Sequence, residues 1–170
     1  FRMAPMSAAL ALSQLNRMDE RNAQRNENCR VVSEKLEALG FDTFIPENDI
    51  TRVYFEFLAR YNEANIGLPI GDLVKALQAE GARVEAPRYP LLHQQPVFTH
   101  HVWSKIARLP ATPENPIHVY DESDLPLTTL GNGTLLKLPA FPSANKELLA
   151  QYALAFEKVL SHADDLPRTT

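Results

Sequence analysis

The stretch Arg88-Tyr89-Pro90-Leu91-Leu92-His93-Gln94-Gln95-Pro96 gathers a guanidinium, a phenol, an imidazole and two carboxamides. Pro90 and Pro96 stiffen the backbone, so the polar heads are held at low entropic cost. Such a loop suits a polyhydroxylated or anionic ligand. An ordinary surface loop has the same composition, and the residues alone leave the two readings level. Arg2 is a second candidate, because it stands beside a strongly apolar segment. A guanidinium there could clamp a phosphate or a carboxylate, although an arginine at such a position is ordinarily solvated.

Other chemistries lack their residues. His93, His100 and His101 are near one another, but no partner stands at helical i+4 spacing, no H-E-x-x-H occurs and no cysteine is close, so loop histidines are expected rather than a metal site. Cys29 is the one cysteine, which excludes an internal disulfide and a Cys-cluster metal site. There is no G-x-S-x-G elbow, no Walker loop and no G-x-G-x-x-G. Asn132-Gly133-Thr134 matches a glycosylation sequon, a pattern that arises often by chance. The net charge is 17 − 21 = −4, opposite to what a general nucleic-acid binder carries. No apolar run approaches the ~18 residues of a membrane span. With no basic segment leading into an apolar one, and a single cysteine, a cytoplasmic chain is expected.

The elements that must position these residues follow from periodicity. The chain has 170 residues, 45% hydrophobic and 22% charged, enough for one domain with a real core. Pro5 suits the first turn of a helix, and Ser7 could cap one that begins later. Met6, Leu10, Leu12, Leu15 and Met18, with the intervening alanines, make that helix apolar on nearly all sides, so burial against its own chain or a partner is expected. Residues 19–28 are almost wholly polar. Cys29, Val32, Leu36 and Leu39 then recur at helical spacing up to Gly40, a C-terminal cap. Alternating Val53, Phe55 and Phe57 predict a strand over 51–58. Ile70, Leu73, Val74 and Leu77 predict a helix over 69–80, started by Pro69 and stopped by Gly81. Residues 83–86 read as a short strand.

Nine of the 13 prolines fall in 87–142, where long regular elements are not expected. Gly131-Asn132-Gly133 either turns a hairpin between 125–130 and 134–138, or the first half is a short helix and only the second is extended. A last helix over about 143–163 is capped by Ser143 or Asn145 and buries Leu148, Tyr152, Phe156, Val159 and Leu160. The expected class is α+β, a small antiparallel sheet covered by helices. Residues 1–40 form leading helices and 41–170 the α+β unit.

Four segments carry a resemblance. Phe1-Arg2-Met3 with Ser7-Ala8-Ala9-Leu10-Ala11-Leu12 and Gln14-Leu15 resembles the N-[FY]-R-M … A-A-x-x-x-x-Q-L segment of the DegT/StrS family of pyridoxal-phosphate-dependent (PLP) aminotransferases, which act on keto sugars and ketocyclitols. Asp19-Glu20-Arg21-Asn22 and Arg25 are similar to that family's long helix. Asp72 to Gly81, followed by Arg88 to Phe98, resembles its Y-P-x-L-H-x-Q-P-x-F stretch. Lys137-Leu138-Pro139-Ala140-Phe141-Pro142 is similar to its K-L-P-x-F-P end. The Leu-Leu-His-Gln-Gln-Pro form is nearest the scyllo-inosose-type branch.

The resemblance implies a C-terminal small domain of the fold-type I PLP transferases, with a large domain expected to precede Phe1. That large domain would hold the lysine of the internal aldimine. None of Lys35, Lys75, Lys105, Lys137, Lys146 and Lys158 matches the catalytic position, so this segment alone is expected to be inactive. Arg2 matches a family arginine near the cofactor or substrate at the dimer interface. Tyr89 and His93 match loop positions on the substrate side, with Arg88 a weaker candidate. The implied reaction moves an amino group from glutamate or glutamine to a keto sugar or ketocyclitol, in a homodimer. Two alternatives stay open: a PLP-dependent sugar dehydratase, and a non-catalytic binding or regulatory module with the same fold.

Overall fold

The computed structural model describes residues 2–47, 49–86, 89–100, 102–108, 112–113, 120–121 and 123–168, without the side chains of residues 65, 66, 103, 105 and 107. Helix α1 spans Pro5–Leu15, with proline at its start. A two-residue turn leads into α2, Met18–Ala38, whose first turn carries Asp19 and Glu20, the sign that a helix N-terminus favours. Gly40 closes α2 at φ 88°, a conformation that a β-carbon would strain. The stripe expected from spacing is the buried face: Cys29, Val32 and Leu36 are all inside.

Strand β1 is Phe57–Arg60, not 51–58. A strand ends where its partner ends, and the strand it pairs with, β2, is four residues long. Arg52 meanwhile bonds to the carbonyls of Thr43 and Phe44, which ties the upstream segment to a loop. The expected alternation therefore fails: Val53 and Phe55 are exposed, while Tyr54 and Phe57 are buried. Helix α3 is one turn, Glu63–Ile66, with the Asn62 side chain accepting from the Ala64 amide. Helix α4, Ile70–Ala79, matches expectation and buries Leu73 and Leu77.

A 3₁₀ turn at Leu92–Gln94 precedes the short helices α5, Pro96–Thr99, and α6, Val102–Ala107. Helix α7 is Pro126–Thr134 and runs directly into β2, Leu135–Leu138. Gly131-Asn132-Gly133 thus lies inside a helix and turns no hairpin. Neither glycine adopts positive φ, and Thr134 Oγ1 donates back to the Leu130 carbonyl at 2.9 Å. Helix α8, Lys146–Ser161, is capped by Asn145, whose side chain accepts from the Leu148 amide at 2.9 Å.

The strands pair antiparallel, Phe57 opposite Leu138 and Ala59 opposite Leu136. Those four residues are buried on one face. Each edge carries one further bridge, Asp42 to Arg60 and Glu85 to Lys137; the expected strand at 83–86 is reduced to this single contact. Helices α2, α4 and α8 pack together over the core. Phe41 sits between Tyr61 and Phe156, at ring distances of 5.6 and 5.3 Å. Phe141 packs edge-on against Tyr152 at 4.9 Å. The class is α+β, helices covering a small antiparallel sheet. Helix α1 departs from expectation within this chain: it buries no residue, and Met6 is 79% exposed. No helix among the described residues is long and apolar enough to cross a membrane.

Candidate functional site

The loop that carries the candidate residues is anchored at its entrance. Glu85 and Lys137 exchange both backbone hydrogen bonds, at 3.0 and 2.8 Å, and their side chains pair at 2.6 Å. The Lys137 ammonium holds the Glu85 carboxyl below the usual carboxylate range. Further along, the Gln94 and Gln95 amides donate to the carbonyls of Leu91 and Leu92, both at 3.1 Å, and the amides of Phe98 and Thr99 donate to the Gln95 carbonyl. The Gln95 side chain donates to the Leu91 carbonyl at 3.3 Å. Gln95 is therefore spent on shaping the loop. Pro96 opens α5 where a missing N–H costs nothing.

His93 occupies the middle of the 3₁₀ turn and is 5% exposed. Its ring lies 6.2 Å from that of Tyr120, against which Phe98 packs edge-on at 6.5 Å. Nε2 of His93 is buried and meets no hydrogen-bond partner among the described residues. An unmet buried polar atom costs about 1–3 kcal/mol, so this nitrogen is a position at which a ligand group would be favourable. Tyr89 is exposed, close upstream of the turn. Tyr120 was not visible to sequence reasoning: it is one aromatic beyond a proline-rich segment, with no spacing that relates it to His93.

The structure brings His93 and Tyr120 together. Arg2 is exposed ahead of α1. Arg88 lies outside the described residues. Among the described residues no three histidine, cysteine or acidic side chains are grouped as metal ligands. His93, expected to be an ordinary loop histidine, is instead buried.

A PLP site does not fit the clefts described. Lys75, Lys137 and Lys158 are paired with Asp72, Glu85 and Glu80. Lys35 and Lys146 line a largely apolar groove between α2 and α8, with Leu149 and Ala153. Lys158 shares an open cleft with Glu80 and Tyr152, but its ammonium is bound to the Glu80 carboxylate at 2.7 Å and exposed, which does not suit the lysine that holds a pyridinium aldehyde. No reaction step is assigned to these lysines.

Residues 1–129 match the DegT/DnrJ/EryC1/StrS aminotransferase family. A curated relative, the L-glutamine:2-deoxy-scyllo-inosose aminotransferase of Micromonospora echinospora, is 32% identical over 97 residues, which is 55% of this chain and 23% of that protein. The enzyme of the same name from Streptoalloteichus tenebrarius is 30% identical over 98 residues, 56% of this chain and 23% of that protein. Each match thus spans about a quarter of the relative's length. The aminotransferase from Psychrobacter cryohalolentis superposes with a TM-score of 0.68 at 17% identity, covering 95% of this chain and 40% of that one. A 3-amino-5-hydroxybenzoic acid synthase superposes with a TM-score of 0.58 at 18% identity, over 88% and 36%. These two likenesses establish the fold.

Proposed function

Since the chain belongs to the DegT/DnrJ/EryC1/StrS aminotransferase family, we propose that it is the C-terminal part of a PLP-dependent aminotransferase. The reaction moves an amino group from glutamine or glutamate to a keto sugar or ketocyclitol. A preceding large domain supplies the aldimine lysine, and residues 41–170 close the substrate pocket. Residues 1–40, α1 included, meet that large domain or the mate in a homodimer. The protein works in the cytoplasm.

The observation that carries this reading is the Nε2 of His93, buried and unpartnered among the described residues, in the loop that resembles the family's substrate-side stretch. Tyr89 and His93 contact the keto substrate, Arg88 assists them, and Arg2 lies near the cofactor or substrate at the dimer interface. The two relatives, L-glutamine:2-deoxy-scyllo-inosose aminotransferases by name, support a scyllo-inosose-type acceptor and glutamine as donor.

The test begins with this chain, added PLP, borohydride reduction and peptide mapping. No stoichiometric lysine adduct is expected; one lysine labelled to completion would refute the division of labour. The second arm joins the chain to its preceding sequence and assays transfer from L-glutamine to 2-deoxy-scyllo-inosose. His93→Ala is expected to raise KM for the keto acceptor roughly tenfold or more, the effect of losing one buried hydrogen bond. An unchanged KM removes His93 from the site.

A further inference from the structure

A cleft of about 420 Å³ opens between α2 and the 45–54 segment. Asn26 and Ser33 line it from α2, and Glu47, Arg52 and Tyr54 from the segment. It shares no residue with the loop at 89–96 or with Arg2.

The cationic group is held in place. Nη1 of Arg52 donates to the carbonyls of Thr43 at 3.2 Å and Phe44 at 2.8 Å. The guanidinium lies 4.3 Å from the centroid of the Tyr54 ring. No carboxylate pairs with Arg52 among the described residues. Arg30, at the same cleft, is different: Glu27 and Glu34 both engage it. Arg52 also hydrogen-bonds with the Tyr54 side chain, and a guanidinium fixed in this way, with a planar fork of five N–H donors, is the preferred partner of a planar carboxylate.

The other polar groups are also unmet. Ser33 is 1% exposed and its Oγ has no hydrogen-bond partner among the described residues. Oδ1 of Asn26 is likewise buried and, among the described residues, unpartnered. Two orphaned oxygens along one wall are each costly unless something fills them. Their chemistry differs usefully. The Ser33 hydroxyl can donate to a carboxylate, as the Arg52 guanidinium does. Asn26 Oδ1 and the Glu47 carboxylate can only accept, which calls for a ligand N–H.

We propose that this cleft binds a small zwitterion with its carboxylate beside its ammonium, a free α-amino acid. The carboxylate meets Arg52 and the Ser33 hydroxyl; the ammonium meets Asn26 Oδ1 and Glu47. The site stands independently of the aminotransferase reading.

The test titrates this chain with L-alanine, with acetate and with ethylammonium, following the backbone amide signals of residues 26–33 and 49–54. L-Alanine is expected to give saturable shifts with a midpoint of about 1 mM or lower. Acetate and ethylammonium, each carrying half of the ligand, are expected to bind at least tenfold more weakly. Ser33→Ala should weaken L-alanine binding about fivefold or more without lowering Tm, because it deletes a buried hydroxyl that has no partner in the free chain. Arg52→Gln should abolish binding; it also frees two carbonyls, so Ser33→Ala decides if that variant unfolds. The proposal is overturned by the absence of saturation with L-alanine at ten times that concentration, by acetate binding equally well, or by Ser33→Ala leaving the affinity unchanged.

Discussion

Lys137 holds Glu85 by three bonds: two between backbones, at 2.8 and 3.0 Å, and one between side chains, at 2.6 Å. The same residue that pairs β2 with β1 therefore also fixes the chain just before the proposed substrate loop. Asp42 and Arg60 repeat the arrangement on the opposite edge, with two backbone bonds and an ion pair. A two-stranded sheet is marginal by itself. Here each outer edge is closed by a bridge that side-chain charge reinforces.

The Glu85 carboxyl should titrate below its ordinary range, and Lys137→Met should return it to that range, as read by carboxyl NMR. The ammonium favours the ionised form in the folded chain, so the folded pKa is depressed. This contribution is present above the unfolded pKa and is lost as pH falls through the folded one. A Glu85 titration that Lys137→Met leaves unmoved would remove the pair as its cause.

Asn28→Ala should destabilise the chain by about 1–3 kcal/mol, the cost of leaving buried partners unpaired. The Asn28 amide donates to the carbonyl of Phe141 at 2.7 Å and to that of Ala144 at 3.3 Å. It accepts from Gln24 at 2.9 Å. Phe141 adopts φ 46°, a conformation uncommon for a bulky residue, and this bond meets its carbonyl. Urea unfolding checks the value: the midpoint should fall with the slope unchanged.

Cys29 should resist thiol reagents at neutral pH in the folded chain and react once it is denatured. Burial pushes its thiol up to about 12, and only the thiolate is a nucleophile. The raised folded pKa has a consequence for stability. The contribution is intact below the thiol's unfolded pKa and declines as pH rises toward the folded value. Labelling rates with and without denaturant test the first statement. Equal rates would mean that the thiol is open to solvent in the folded state.

The chain by itself should self-associate with rising concentration, because α1 leaves Met6, Leu10, Leu12 and Leu15 exposed. Leu10→Glu should weaken that association and, at a concentration where both proteins are monomeric, leave the thermal midpoint within about 1 °C, since a residue outside the core contributes little to it. Sedimentation velocity across a concentration series, for both proteins, reads the outcome. A drop in Tm on Leu10→Glu would show that α1 is packed in solution.

The residues alone determined the three helices of the core. Their stripes, the glycines after α2 and α4 and the asparagine cap of α8 act within a few residues of one another, so helical hydrogen bonds make them readable along the chain; the exception is the first turn of α8, where Leu148, expected inside, is exposed and Leu149 is buried in its place. Residue order also carried the family resemblance, because motifs are linear. Strand limits were not readable: β1 begins at Phe57 because its partner stops at Leu138, a fact located 81 positions away. The helix through Gly131-Asn132-Gly133 was only one of two readings until β2 took its place against β1. Nothing near His93 in sequence showed that Tyr120 would cover it or that its Nε2 would be left unmet. Local bonds leave a periodic signature, whereas pairing and burial depend on which distant segment arrives, and only the folded chain decides that.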